Sequence, residues 1–129
     1  MNNDTDELRF SAKLLFQFRV DTGAESGKRR LCEERIITFR ASSSRTALSV
    51  AKRKGKQAEH HYENNEGNRV YFEFVGIVDL LALETECATD EVWYDIKERL
   101  LPMERRDKLI PPEDQLCALR NEQARRNRR

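Results

Sequence analysis

His60 and His61, flanked by Glu59 and Glu63, are the residues here whose types come nearest to a metal site. Their spacing argues against one. Neighbours on a helix point about 100° apart, so the two imidazoles do not converge on one ion, and the H-E-x-x-H spacing is absent. No metal or other cofactor is expected. Nucleophilic catalysis would need Cys32 or Cys87 beside one of those histidines, and no motif supports that. Ser42, Ser43 and Ser44 are better explained as helix caps. Glu33 and Glu34 are neighbours on an expected strand and face opposite sides, so they cannot work on one substrate as acid and base. Glu33 and Asp79 meet only if their strands are suitably placed. No catalytic residue is assigned, and an enzyme with a pocket near Glu33 and Arg35 is the last-ranked reading.

The stretch CEERIITF, residues 32–39, poses a sharper question. In a strand, Glu33 and Arg35 share a face with Ile37 and Phe39. Buried without a partner, either charge would cost several kcal/mol. They must pair, reach solvent or bind something. One reading has them bridge each other, or Arg29 and Arg30, at a solvated rim. The other is a small polar pocket beside Phe16 and Phe18.

Those side chains need elements to hold them. Phe10, Ala12, Leu14, Phe16, Phe18 and Val20 alternate with mostly polar residues, which predicts a half-buried strand. A polar loop with two glycines, DTGAESGKRR, leads to a second strand from about Leu31 to Ala41. Aligning the apolar faces puts Leu14 opposite Ile37, Phe16 opposite Arg35 and Phe18 opposite Glu33. A one-residue slip would turn the apolar set to water. Ala47, Leu48, Ala51, Gly55, Ala58 and Tyr62 then fall on one face of a helix that should end near Asn64. The third strand starts near Arg69, with Val70, Phe72, Phe74, Gly76, Val78 and Leu80 on one face and Tyr71, Glu73, Val75, Ile77 and Asp79 on the other. Residues 91–98 alternate like a strand but also fit a helix. Pro102 and Pro111–Pro112 bracket a short helical turn, and the chain continues as a marginal helix into an arginine-rich tail. The expected fold is α+β: an antiparallel sheet of three to four strands in β-β-α-β-β order, one main helix on one face, and short C-terminal helical segments. Residues 1–9 are expected to be disordered, 10–101 to form a single domain, and 102–129 to be an extension.

The sheet's second face carries a greasy island: Leu15, Ile36, Val75, Ile77 and Leu81. Either the chain covers it through Trp93, Leu100, Met103 or Leu109, or a partner does, as a second copy or another protein. Net charge is +1, so no global field selects nucleic acid or membrane. Basic residues do cluster locally, at Arg45, Lys52, Arg53, Lys54 and Lys56, and again at Arg120, Arg125, Arg126, Arg128 and Arg129. A nucleic-acid module would use Lys52, Arg53, Lys56, Arg125 and Arg126, although no phosphate cradle or RNA-stacking signature accompanies them. Three cysteines without a C-x-x-C, and no long apolar run, point to a reducing cytoplasm and no membrane.

The segments SAKLLFQFRV, LCEERIITFRASSSRTALSVAKRKGK, HYENNEGNRVYFEFVGIVDLL and DEVWYDI together resemble a bacterial domain-of-unknown-function family, the one numbered 4288. The resemblance runs from about Phe10 to Ile96. It rests on Glu33–Glu34, Ala47 and Ala51, Tyr62, Asn64 and Gly67, Phe72, Phe74 and Asp79, then Glu91, Val92 and Trp93. It implies a strand for the last segment and brings no activity. The tail after Pro112 lies outside it. The binding candidates are Glu33, Arg35, Tyr62, Asn64 and Asp79. The functional expectation is a small bacterial, non-catalytic interaction or accessory module acting through the second face or the Glu33/Arg35 rim.

Overall fold

Alternation of apolar and polar residues makes β1 a strand from Leu8 to Asp21, and β2 follows from Cys32 to Ala41. The computed structural model describes residues 7–23 and 28–127. The tip of the β1–β2 loop, residues 1–6 and the last two arginines lie outside the described residues. The chain divides into two units, residues 1–94 and 95–129.

In the first unit, helix α1 (Ser44–Gln57) starts where the serines predict. Ser43 Oγ accepts from Thr46 N at 3.1 Å. Such a cap is worth about 1 kcal/mol relative to alanine. The helix presents Ala47, Ala51 and Gly55 as its buried stripe and lies across β1, β2 and β4. Two further strands, β3 (His60–Glu63) and β4 (Arg69–Ala82), complete a four-stranded antiparallel sheet ordered β2-β1-β4-β3. The α+β class and the β-β-α-β-β order hold.

The fourth strand is not where the sequence placed it. The helix ends at Gln57 rather than near Asn64, and Tyr62 lies on β3 instead of the helical stripe. Asn64–Asn68 is a hairpin turn. Asn64 N donates to Asn68 O at 2.8 Å, and Asn64 Oδ1 accepts from Glu66 N at 3.0 Å and from Asn68 N at 2.9 Å. Gly67 sits at φ +81°, which a side chain resists. This turn closes Tyr62 onto Val70, so pairing with β4 wins over another helical turn. Residues 91–98 form no regular element, against the expected strand. Val92 is 49% exposed, so the alternation there buries no face.

β1 and β2 pair without a bulge, two residues from the expected register: Leu14 faces Arg35 and Phe16 faces Glu33. The slip is even, so each residue keeps its face. β1 and β4 pair with register shifts at two places. Val75 with Gly76 opposes Leu15, and Val78 with Asp79 opposes Lys13, leaving one extra residue at each bulge. Between the two bulges the expected faces swap, and the second bulge restores them. Ile77 pairs with Leu14 and packs on the helix side, so it leaves the greasy island, while Val78 joins the second face.

The core is one cluster of Ala12, Leu14, Phe16, Ala51 and Phe72 and another of Phe10, Ala41 and Ala47. On the second face, Ser11 and Leu81 are also buried, near a short helix α2 (Leu83–Glu86) whose Leu83 is fully buried. Glu84 Oε1 accepts from Arg9 N at 3.1 Å, and Lys13 Nζ stands 5.0 Å from the Trp93 ring centre. Residues 83–93 therefore return across part of that face, with Trp93 beside Lys13.

The second unit holds α3 (Arg106–Leu109), a 3-10 turn at Glu113–Gln115 and α4 (Cys117–Asn127). None of these elements has a buried residue. Among the described residues, no helix is long and apolar enough to cross a membrane.

Candidate functional site

Glu33 and Arg35 form a pair. Arg35 Nε donates to Glu33 Oε2 at 2.7 Å, and Arg35 Nη2 lies 2.6 Å from the same oxygen. Both side chains remain more than a third exposed, so the pair stands at a rim and neither charge is stranded. Arg35 also lays its guanidinium over Phe16 at 4.9 Å and Phe72 at 5.4 Å from the ring centres. An arginine stacked this way shields aromatic faces while keeping its charge wet.

The other binding candidates stand apart from this pair. Tyr62 is on β3, at the opposite edge of the sheet from β2. Asn64 is committed to the β3–β4 turn. Asp79 pairs with Lys13 on the second face, whereas Glu33 pairs with Phe16 on the helix face, so the sheet separates the two carboxylates. Asp79 Oδ1 accepts from Leu80 N at 2.8 Å. The geometry brings Glu33 and Arg35 together and leaves Tyr62, Asn64 and Asp79 elsewhere.

His60 and His61 lie on a strand and so face opposite sides. The His60 ring packs against Phe72 at 5.0 Å, and His61 against Tyr71 at 5.8 Å. No group of three metal-ligand side chains occurs among the described residues. Lys52, Arg53 and Lys56 are exposed on α1, and Lys56 lies 3.7 Å from Glu59. Arg125 and Arg126 are exposed on α4, in the other unit.

Sequence reasoning missed a polar network on the second face. Arg19 grips Glu73 with two bonds, Nε to Oε1 at 3.0 Å and Nη2 to Oε2 at 2.9 Å. Gln17 Nε2 also donates to Glu73 Oε1 at 2.9 Å, and Arg30 Nη1 donates to Gln17 Oε1 at 3.0 Å. Tyr71 lies under the Arg19 guanidinium at 4.5 Å. Only the pairing of β1 with β4 makes these residues neighbours, and residue types alone do not reveal it. The bond from Arg19, then that from Gln17, holds the Glu73 carboxyl below its ordinary range. A depressed carboxyl adds stability that is complete above the ordinary glutamate pKa and is lost as pH falls through the folded value. Glu73→Gln should therefore lower the urea midpoint at neutral pH and converge with the native chain in strong acid. Parallel urea titrations across the acid range check this.

Cys87 is half-buried beside Glu86 and Glu91, and burial first, then those charges, push its thiol up. A raised thiol is a poor nucleophile. Its neighbour Tyr94 donates to Glu86 Oε2 at 2.7 Å.

The family model described as domain of unknown function (DUF4288) matches residues 9–92. A search of curated proteins and one of solved structures each returned no match. The match spans both bulges, the Glu33–Arg35 pair and the Asn64 turn, and the chain belongs to the DUF4288 family.

Proposed function

We propose that this chain is a non-catalytic protein-interaction module of the bacterial cytoplasm, and that it takes an apolar surface of another protein against the second face of its sheet. The observation that supports this is the outward placement of aliphatic side chains there. Val75 is 56% exposed, Val78 49% and Ile36 44%, beside a half-buried Leu15. Both valines belong to bulges, devices that re-aim side chains. An aliphatic patch ringed by polar residues is the usual mark of a contact surface. Three free thiols fit a reducing compartment. Arg35 is already engaged by Glu33 and two ring faces, which weighs against a reactive pocket at that rim.

A second reading, association with nucleic acid, draws on the exposed Lys52, Arg53, Lys54 and Lys56 of α1. The two separate in one retention experiment on the immobilised full chain with extract from cells carrying the gene. A retained protein that disappears with Val75→Asp plus Val78→Asp, and persists with Lys52→Glu plus Lys56→Glu, supports the first reading. Salt-sensitive retention of RNA or DNA with the opposite variant pattern replaces it with the second. Matching circular dichroism establishes that each variant is folded.

A further inference from the structure

The outer edge of β2 is long and has no strand paired to it among the described residues. Sheets commonly protect an edge with a short strand, like charges, a proline or a bulge. The β3 edge is short, at 4 residues. The β2 edge runs 10 residues, CEERIITFRA, with no proline and no bulge against β1, and its two outward-facing charges, Glu34 and Arg40, are of opposite sign.

The hydrogen-bonding phase shows which groups face outward. Phe18 N donates to Leu31 O at 2.9 Å, just before β2 begins. Antiparallel pairing alternates, so the odd-numbered residues of β2 aim N–H and C=O at β1. The even-numbered ones, Cys32, Glu34, Ile36, Thr38 and Arg40, aim theirs away from the sheet. Their side chains are all exposed on the second face.

We infer that β2 pairs antiparallel with β2 of a second copy of this chain, about a two-fold axis at Ile37, joining two sheets into one. In this register Glu34 stands opposite Arg40 of the other copy, and by symmetry Arg40 opposite Glu34. Ile36 meets Thr38, and all four residues present their outward backbone groups to one another. Ile37 meets its own counterpart on the helix face, where Arg35 meets Phe39. Moving the axis to Ile36 sets Arg40 opposite Cys32, and moving it to Thr38 sets Arg40 opposite Ile36. Only the axis at Ile37 places both charges against their complements. Within the chain, neither Glu34 nor Arg40 forms an ion pair among the described residues; Arg40 stands opposite Arg9, and its Nη1 donates to the Glu7 backbone carbonyl at 3.5 Å, which leaves its charge without a carboxylate. A second copy supplies what each lacks.

This surface does not depend on the Val75/Val78 patch. Strand pairing alone buries less area than a standard interface, so the dimer is concentration-dependent. Sedimentation of the full chain across a dilution series reads it. Glu34→Arg alone sets like charges opposite each other twice and should weaken the dimer about tenfold, as should Arg40→Glu alone. Combining the two restores the complement and should return native affinity. Thr38→Pro removes an outward N–H that β1 does not use and should leave a folded monomer. A native chain that stays monomeric throughout, or single variants that dimerise as well as the native chain, overturns the inference. So does a charge-swapped double variant no better than either single one.

Discussion

Phe16→Ala should lower the stability of the first unit by about 3–5 kcal/mol, the range for deleting a buried aromatic ring. Phe16 has 0% exposure. It stacks on Phe72 with centroids 4.5 Å apart and meets Phe74 at 5.6 Å. It is also a ring that Arg35 covers, so its loss removes both a core filler and a support for the Glu33–Arg35 pair. Several buried members of the core are alanines, which are too short to fill the space. Against a total stability of about 5–15 kcal/mol, this is a large fraction. Urea unfolding followed by the fluorescence of Trp93, the single tryptophan, measures it. Val75→Ala, at an exposed position, should change the midpoint by no more than about 0.5 kcal/mol. Equal losses from the two would refute the packing described.

The second large effect is expected at Gly55. Helix propensity alone says that a larger residue there should stabilise, by about 1 kcal/mol for alanine. The packing says the reverse. A Cβ on Gly55 would come within 2.5 to 2.6 Å of three ring carbons of Phe74. That ring is part-buried and already placed against Phe16, so relief would disturb the core. Gly55→Leu should cost about 3 kcal/mol, the upper end for overpacking, and Gly55→Ala should fail to give its propensity gain. Phe74→Ala in the same chain should recover part of the leucine's cost, with a coupling of about 1 kcal/mol or more. Denaturant midpoints of the two single variants and the double variant supply that cycle. Additive costs would mean that the helix does not approach the sheet as closely as described.

Where sequence reading succeeded, a single period governed a whole element. β1 alternates over its length, and the hairpin partner had to match its apolar face, so any error was confined to an even slip. The serine cap and the small-residue stripe placed the start of α1 correctly. Failures occurred where two periods overlapped. Ala58 and Tyr62 continue the helical spacing, yet Tyr62 follows the hairpin closed by Asn64 and Gly67. In β4, Phe74, Ile77 and Leu80 share a face at three-residue steps, a spacing that simple alternation misassigns. The Glu33–Arg35 pair was legible because its partners are two residues apart. The Arg19–Glu73 clamp was not, because 54 residues separate them and only strand order brings them together. Residues 91–98 show the converse: alternation without a neighbouring strand produces no strand.

The two bulges also bear on how insertions and deletions could accumulate in this family. Each extra residue has no counterpart in β1, so β4 bends and twists more strongly at that point. Removing Val75 and Val78 on paper leaves Phe74, Ile77 and Leu80 alternating regularly with Gly76 and Asp79, and every core side chain stays in place. Relatives that gain or lose residues here would keep the same interior and change the curvature of the sheet around the helix. Length changes at these two positions would thus alter the outer aliphatic side chains and the bend of β4 while leaving the helix-side core intact.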